Sequence, residues 1–232
     1  MYGWRGRLGI ILPGDNAVME PEFNRLVPEG VSVHVSRLRL VHRTEMPDLA
    51  LDHANILIDT HVNILAYMCA ASSFMLGPDG NKALCERLTK ASGGLPAFTT
   101  TTSMVAAFKE LGMKRVSVLS PHPPEIAAYL RTYLDAAGFD IVDFKALGLE
   151  LVDINNSSPA QVYRWAKMLK TDGADGIFIA ATNFRALDII DILEADTGLP
   201  VVTSNQNAMW MALNMLGIRG GVKGFGRLLR GW

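Results

Sequence analysis

Strand-like and helix-like segments alternate along the 232 residues of this chain, and that order predicts an α/β fold with parallel sheets. An internal repeat sharpens the prediction. Arg7 of RLGIIL and Arg115 of RVSVLS stand at an offset of 108, Cys69 and Ala181 at 112, and the segments LPAFTT and LPVVTS at 104. Like segments in like order at nearly constant spacing predict two related halves of roughly 110 residues each. A third observation is the high mean hydropathy, +0.19, with 49% hydrophobic and 19% charged residues. Such a chain suits strands buried on both faces.

The first strand, over residues 7–12, ends at the turn cluster Pro13-Gly14-Asp15-Asn16. Met19, Phe23 and Leu26 then recur at helical spacing. A β-branched strand over 31–35 and a helix over 48–63 follow. Residues 64–68 read as a short buried strand running into Cys69 and a row of small residues. Helices over 81–92 and 103–111 flank a strand over 95–98, with Gly93-Gly94 and Gly112 as stops. The order then begins again. Strands are expected over 116–119, 141–144, 176–180 and 199–203, and helices over 125–137, 159–171, 185–196 and 208–216. The glycine-rich tail over 220–226 follows no strand and reads as an irregular loop.

Lys+Arg 22 against Asp+Glu 23 gives a net charge of −1, so no basic field draws the chain to nucleic acid or to a membrane surface. The apolar run at 8–12 is too short for a signal segment, and the apolar stretch at 56–76 is broken by Asp59, His61 and Asn63. Two cysteines, Cys69 and Cys85, with no CxxC, make neither a disulfide framework nor a zinc site. They point to a reducing, cytoplasmic compartment. No metal is expected, since His34, His42, His53 and His61 form no ligand-spaced set. No Walker A or GxGxxG pattern stands at a strand end, which argues against a nucleotide. Exposed apolar helix surface makes a homo-oligomer the expected assembly.

Ligands of parallel α/β sheets bind at the carboxyl ends of the strands. Here those ends are rich in hydroxyl and amide groups: Asp15-Asn16, residues 69–73, 99–102, 120–122 and 181–183, and Ser204-Asn205. With backbone N–H groups they form a cradle for carboxylate or phosphate. Cys69 closes a strand and opens a small-residue segment. A thiol at a helix N-terminus has a lowered pKa and serves as a nucleophile. The alternative is a buried thiol that packs as a small hydrophobe. Cys85, mid-helix in KALCERL, reads as packing. His122 is either an acid/base or donor facing a carboxylate, or a solvent-facing loop residue. Asp15 and Asn16 either orient a ligand or cap the first helix. Trp165 and Trp210 fall within helices and read as core or interface residues.

The segments LGIILPGDNAVMEPEF, AYMCAASSF, GLPAFTTTTSMVAAFKELGMKRVSVLSP, DGIFIAATNFRALDIID, GLPVVTSNQNAMWMALNMLGI and GFGRLL span nearly the whole chain. In them the chain resembles the aspartate/glutamate racemase superfamily, in its maleate cis-trans isomerase and arylmalonate decarboxylase branch. The resemblance implies two pseudo-twofold-related, Rossmann-like domains, each a short parallel sheet flanked by helices, with the active site in the cleft between them. Residues 1–98 plus 205–232 would form the first half and 99–204 the second. Racemases and isomerases of the superfamily use two cysteines, one from each half. The decarboxylases keep only that of the second half. By this resemblance Cys69 is the first-half cysteine, and Ala181 stands where the second belongs. Asn16 matches an asparagine that holds a substrate carboxylate. His122 stands in place of a carboxylate-binding tyrosine, and Ala70-Ala71 in place of a Thr-Ser pair.

The expected activity is cofactor-independent isomerisation of a small cis-dicarboxylate through the Cys69 thiolate. Asn16, Ala70, Ala71, Thr101, His122, Thr182 and Asn183 are the expected substrate-binding positions, and Cys69 and Ala181 the catalytic ones. One rival is a decarboxylase in which Cys69 protonates an enediolate from the face opposite to the usual one. Another is a catalytically silent dicarboxylate-binding protein, or a Cys-to-Ala variant at Ala181 that traps substrate. The changes at Ala70, Ala71 and His122 favour a natural member over an engineered one.

Overall fold

The computed structural model describes residues 2–230. The first half runs β1 (Gly6–Pro13), α1 (Met19–Leu26), β2 (Val31–Leu38), α2 (Met46–Ile58), β3 (Ile64–Tyr67), α3 (Ala70–Met75), α4 (Gly77–Ala91) and β4 (Ala97–Thr99). The second half begins, after α5 (Thr100–Glu110), with β5 (Arg115–Ser120), α6 (Pro124–Ala136), β6 (Asp140–Ala146), α7 (Leu151–Asn156) and α8 (Pro159–Ala166). It continues through β7 (Gly176–Ile179), α9 (Ile190–Thr197) and β8 (Val201–Thr203), and the described chain closes with α10 (Ser204–Met215) and α11 (Gly226–Arg230).

The strands form two parallel four-stranded sheets with the same order, β2-β1-β3-β4 and β6-β5-β7-β8. Register reproduces the repeat seen in the sequence. Leu8 pairs with Ile64 as Val116 pairs with Gly176, and Leu65 with Ala97 as Ile177 with Val201. The offsets of 108, 112 and 104 are therefore those of equivalent sheet positions.

Side chains of a strand alternate between faces, and β1 uses both. Leu8, Ile10 and Leu12 join a core that continues into the other half, where it takes in Val116, Val118, Ile177 and Ile179. Ile11 points the opposite way, into a smaller cluster with Leu57, Tyr67 and Leu84 under α2 and α4. Both faces of the strand are thus dry, which accounts for the unbroken apolar run GIIL.

Helices α5 and α10 are equivalents, and they pack on each other. Each begins with a threonine cap at the end of a strand. Thr99 Oγ1 accepts from Thr102 N at 3.1 Å, and Thr203 Oγ1 accepts from Gln206 N at 3.3 Å. Gln206 Oε1 accepts in return from Thr203 N at 3.1 Å, closing a capping box. Four residues beyond each cap, Ser103 Oγ donates to Asn207 Oδ1 at 2.6 Å. Both residues are buried, so this bond between equivalent positions lies at the junction of the halves.

Several boundaries differ from expectation. The threonine cap starts α5 at Thr100, three residues early, and the equivalent cap starts α10 at Ser204, four residues early. Helix α2 stops at Ile58, ahead of a turn in which His61 has φ 53. Residues 185–186 do not begin a helix. A 3-10 turn over Leu187–Ile189 leads into α9, which Gly198 ends at φ 70. Helix α8 closes at Ala166, and α7 was not anticipated. The tail is irregular up to Phe225, after which the short helix α11 packs against α9 and α10. Among the described residues no helix is long and apolar enough to cross a membrane.

Ser103→Ala leaves the Asn207 carbonyl buried without its donor. The expected cost is about 1–3 kcal/mol of stability, measured by urea unfolding.

Candidate active site

Four strand ends converge on one cleft between the halves. The turn after β1 brings Asp15 and Asn16, and the end of β3 brings Cys69, Ala70 and Ala71. The loop after β5 brings His122, and the end of β7 brings Ala181, Thr182 and Asn183. The cleft is narrow and partly open to solvent, and its free interior volume is about 30 Å³. Eight positions expected from the sequence to hold substrate or do chemistry therefore share one wall-to-wall space. Thr101 is the exception. Its hydroxyl is hydrogen-bonded to Ser73 and buried between α3 and α5, away from the cleft wall.

Asn16 combines two roles. Its Oδ1 accepts from Val18 N and Met19 N, both at 3.0 Å, which fixes the start of α1. Its Nδ2 donates to Thr182 Oγ1 at 2.9 Å, across the junction of the halves. Thr182 Oγ1 in turn donates to the Met68 carbonyl at 3.4 Å. The ends of β1, β3 and β7 are thus tied together beside the cleft.

Cys69 is the residue immediately before α3 and is 4% exposed. The expectation of a lowered thiol pKa is not met. Burial pushes the thiol up, outweighing the Ser72 hydroxyl and backbone N–H and the charge of Arg43, all of which favour the thiolate. Asp15 adds to the rise. Helix α3 has only six residues, too short a dipole to offset desolvation. Met46 Sδ lies 3.9 Å from the sulfur, and Tyr67 reaches Ser72 Oγ at 2.5 Å. Cys85 is partly buried on α4, near Thr102 Oγ1 at 3.6 Å.

On the opposite wall, His122 Nδ1 lies 3.1 Å from Ser120 Oγ, and the ring meets Phe74 edge to face. Burial, with a further push from Arg43, lowers its pKa to about 3. The imidazole is therefore neutral at physiological pH, and is buried rather than solvent-facing. Ala181 has φ 83. A non-glycine residue held in that region costs about 1–2 kcal/mol, and such strain gathers at functional sites. Arg43 and Leu40, on the segment between β2 and α2, also line the cleft. Nothing in RLRLVHRTE distinguishes Arg43 from the other arginines there, since the segment has no periodicity.

Residues 8–229 match the model of the family described as arylmalonate decarboxylase. The chain belongs to the arylmalonate decarboxylase family. A maleate isomerase of Geobacillus stearothermophilus is 25% identical over 246 residues, covering 97% of each chain. The arylmalonate decarboxylase of Bordetella bronchiseptica is 27% identical over 234 residues, covering 94% of this chain and 91% of its own. The crystal structure of the maleate isomerase Iso from Pseudomonas putida S16, as a Cys-to-Ala variant with maleate, superposes with TM-score 0.93 at 26% identity. It covers 97% of this chain and 98% of that one. The family match and these relatives bear out the resemblance and the two-sheet architecture read from the sequence.

Behind the cleft of this family member lies a second buried network. Glu22 of α1 reaches into the other half, where its Oε1 accepts from Leu187 N at 3.3 Å, and its Oε2 accepts from Asn205 Nδ2 at the start of α10 at 2.7 Å. Asn205 Nδ2 also donates to the Thr182 carbonyl at 2.9 Å. Glu22 thereby braces the strand end that carries Ala181 and Thr182. Sequence reading missed it, because MEPEF looks like an acidic helix start. Desolvation raises its carboxyl pKa from 4.5 to about 7, against the two hydrogen bonds. Between those values the folded protein holds a proton that the unfolded chain has released, so stability falls as pH rises from 4.5 to 7 and is level above. The loss, measured against Glu22→Gln by urea unfolding across that window, is expected to be about 3 kcal/mol.

Proposed function

We propose that this protein is a cofactor-independent cis-trans isomerase of a small cis-dicarboxylate, with Cys69 as its nucleophile. The observation that carries the reading is one thiol on the cleft wall, facing Arg43 and the neutral His122. Maleate isomerases at 25–26% identity over nearly the whole chain support the substrate class. Reaction begins from the Cys69 thiolate, whose charge Arg43 and the Ser72 hydroxyl and backbone N–H favour. The thiolate adds to one alkene carbon, forming a C–S bond, and the π pair moves onto the neighbouring carbon and its carboxylate. Rotation about the new single bond follows. Collapse of the enediolate re-forms the double bond in the trans geometry and expels the thiolate. The cycle consumes no proton from the second wall, so it proceeds with alanine at 181. Hydrogen-bond donors on the cleft wall, Asn183 and His122 among them, stabilise the enediolate.

One observation favours decarboxylation as a second reading. Burial keeps Cys69 protonated, the state a proton donor to an enediolate requires. Against it, Arg43 places a cation on the cleft wall, and a cation stabilises a carboxylate that must leave as CO2. The same reading places the protein in the cytoplasm as a homo-oligomer, and divides it into 1–98 plus 205–232 and 99–204.

The test is conversion of maleate to fumarate followed by proton NMR, with disubstituted malonates assayed in parallel. Native protein is expected to isomerise maleate, and Cys69→Ala to lose roughly 10³-fold or more in kcat. Native protein inactive on maleate, or active after the substitution, would overturn the reading. The pH profile separates the two chemistries. A thiolate nucleophile with a raised pKa gives kcat/KM that climbs through pH 9, whereas a thiol proton donor gives a rate that falls as pH rises there.

A further inference from the structure

We propose that Arg43 is the subsite for the second carboxylate of the substrate, and so the residue that selects dicarboxylates over monocarboxylates. The inference rests on the dicarboxylate reading above and names the group that reads it. Among the described residues, Arg43 is the only lysine or arginine on the cleft wall. It is half-buried, yet it has no hydrogen bond or ion pair with any described protein group. Its neighbour Arg37 shows the contrast: that guanidinium is bound by Glu20 and by the carbonyls of Gly14 and Asn16. A partly desolvated guanidinium without a protein partner is unfavourable unless an anion joins it, and its planar fork matches a carboxylate.

Position supports the assignment. The charge of Arg43 acts on both Cys69 of the first half and His122 of the second, so it reaches both walls. His122 stays neutral and supplies no second cation. Asp15, also on the wall, repels a dianion, and Arg43 offsets it. Leu40, on the same segment, and Met46, the first residue of α2, add apolar surface to the cleft that Arg43 lines.

Succinate, which has no double bond to isomerise, probes binding without turnover. By titration calorimetry, Arg43→Gln is expected to weaken succinate about 10- to 100-fold and monomethyl succinate less than about 2-fold. Arg43→Lys recovers part of the loss. Arg39→Gln, a change to an exposed neighbour off the cleft wall, is expected to bind as the native protein does. Equal losses for both ligands, no loss for either, or no succinate binding by native protein overturns the proposal. Failure here is separable from failure of the isomerase reading. Native protein that binds succinate through Arg43 but leaves maleate unchanged sinks only the isomerase. Maleate turnover with an unaltered KM in Arg43→Gln sinks only the subsite.

Discussion

The packing of α5 on α10 sets everything else in this molecule. Each helix starts from a threonine cap at a strand end, so its direction is fixed by the sheet from which it emerges. Pressing the two together fixes how one sheet faces the other. The distance between the strand ends, and so the width of the cleft, follows from that contact. The shared core that runs from Leu8 and Ile10 to Val116 and Ile177 makes the arrangement costly to alter.

Within that frame the cleft is held by polar bonds that cross the junction. Asn16 to Thr182, Thr182 to Met68, Glu22 to Leu187, and Asn205 to the Thr182 carbonyl each join one half to the other. Buried polar networks of this kind are stiff when satisfied and costly when broken. Their effect is to hold Cys69, His122 and the strained backbone at Ala181 in fixed relation. Asn16 illustrates the economy of the design: one amide caps a helix and also ties the strand ends.

Much of this was legible in the chain. Strands buried on both faces write long apolar runs bounded by turn residues, so β1, β3, β5 and β7 and their offsets could be read directly. Residues at strand ends were legible for the same reason, which is why Asn16, Cys69, His122 and Thr182 were found. What failed to show depended on three-dimensional surroundings. The short helix after Cys69 suggested an acidified thiol, but burial reverses the sign. Thr101 sits one position beyond the start of α5, where the helix turns it toward α3. Arg43 and Glu22 carry no local pattern, since an arginine in a connecting segment and a glutamate in a first turn are usually solvated. Only the fold shows that one faces the cleft and the other is buried beneath it.

The bond between Ser103 and Asn207 carries a wider consequence. These residues occupy equivalent places in the repeat, so in a dimer of identical chains each position would meet its own copy across the twofold. Two serines or two asparagines would then face each other. Joining the halves in one chain lifts that restriction, and a donor can be set against a matched acceptor. The same freedom reaches the cleft. Once the walls are encoded separately, one can keep its sulfur while the other gives it up, and the symmetry of the scaffold no longer dictates the symmetry of the chemistry.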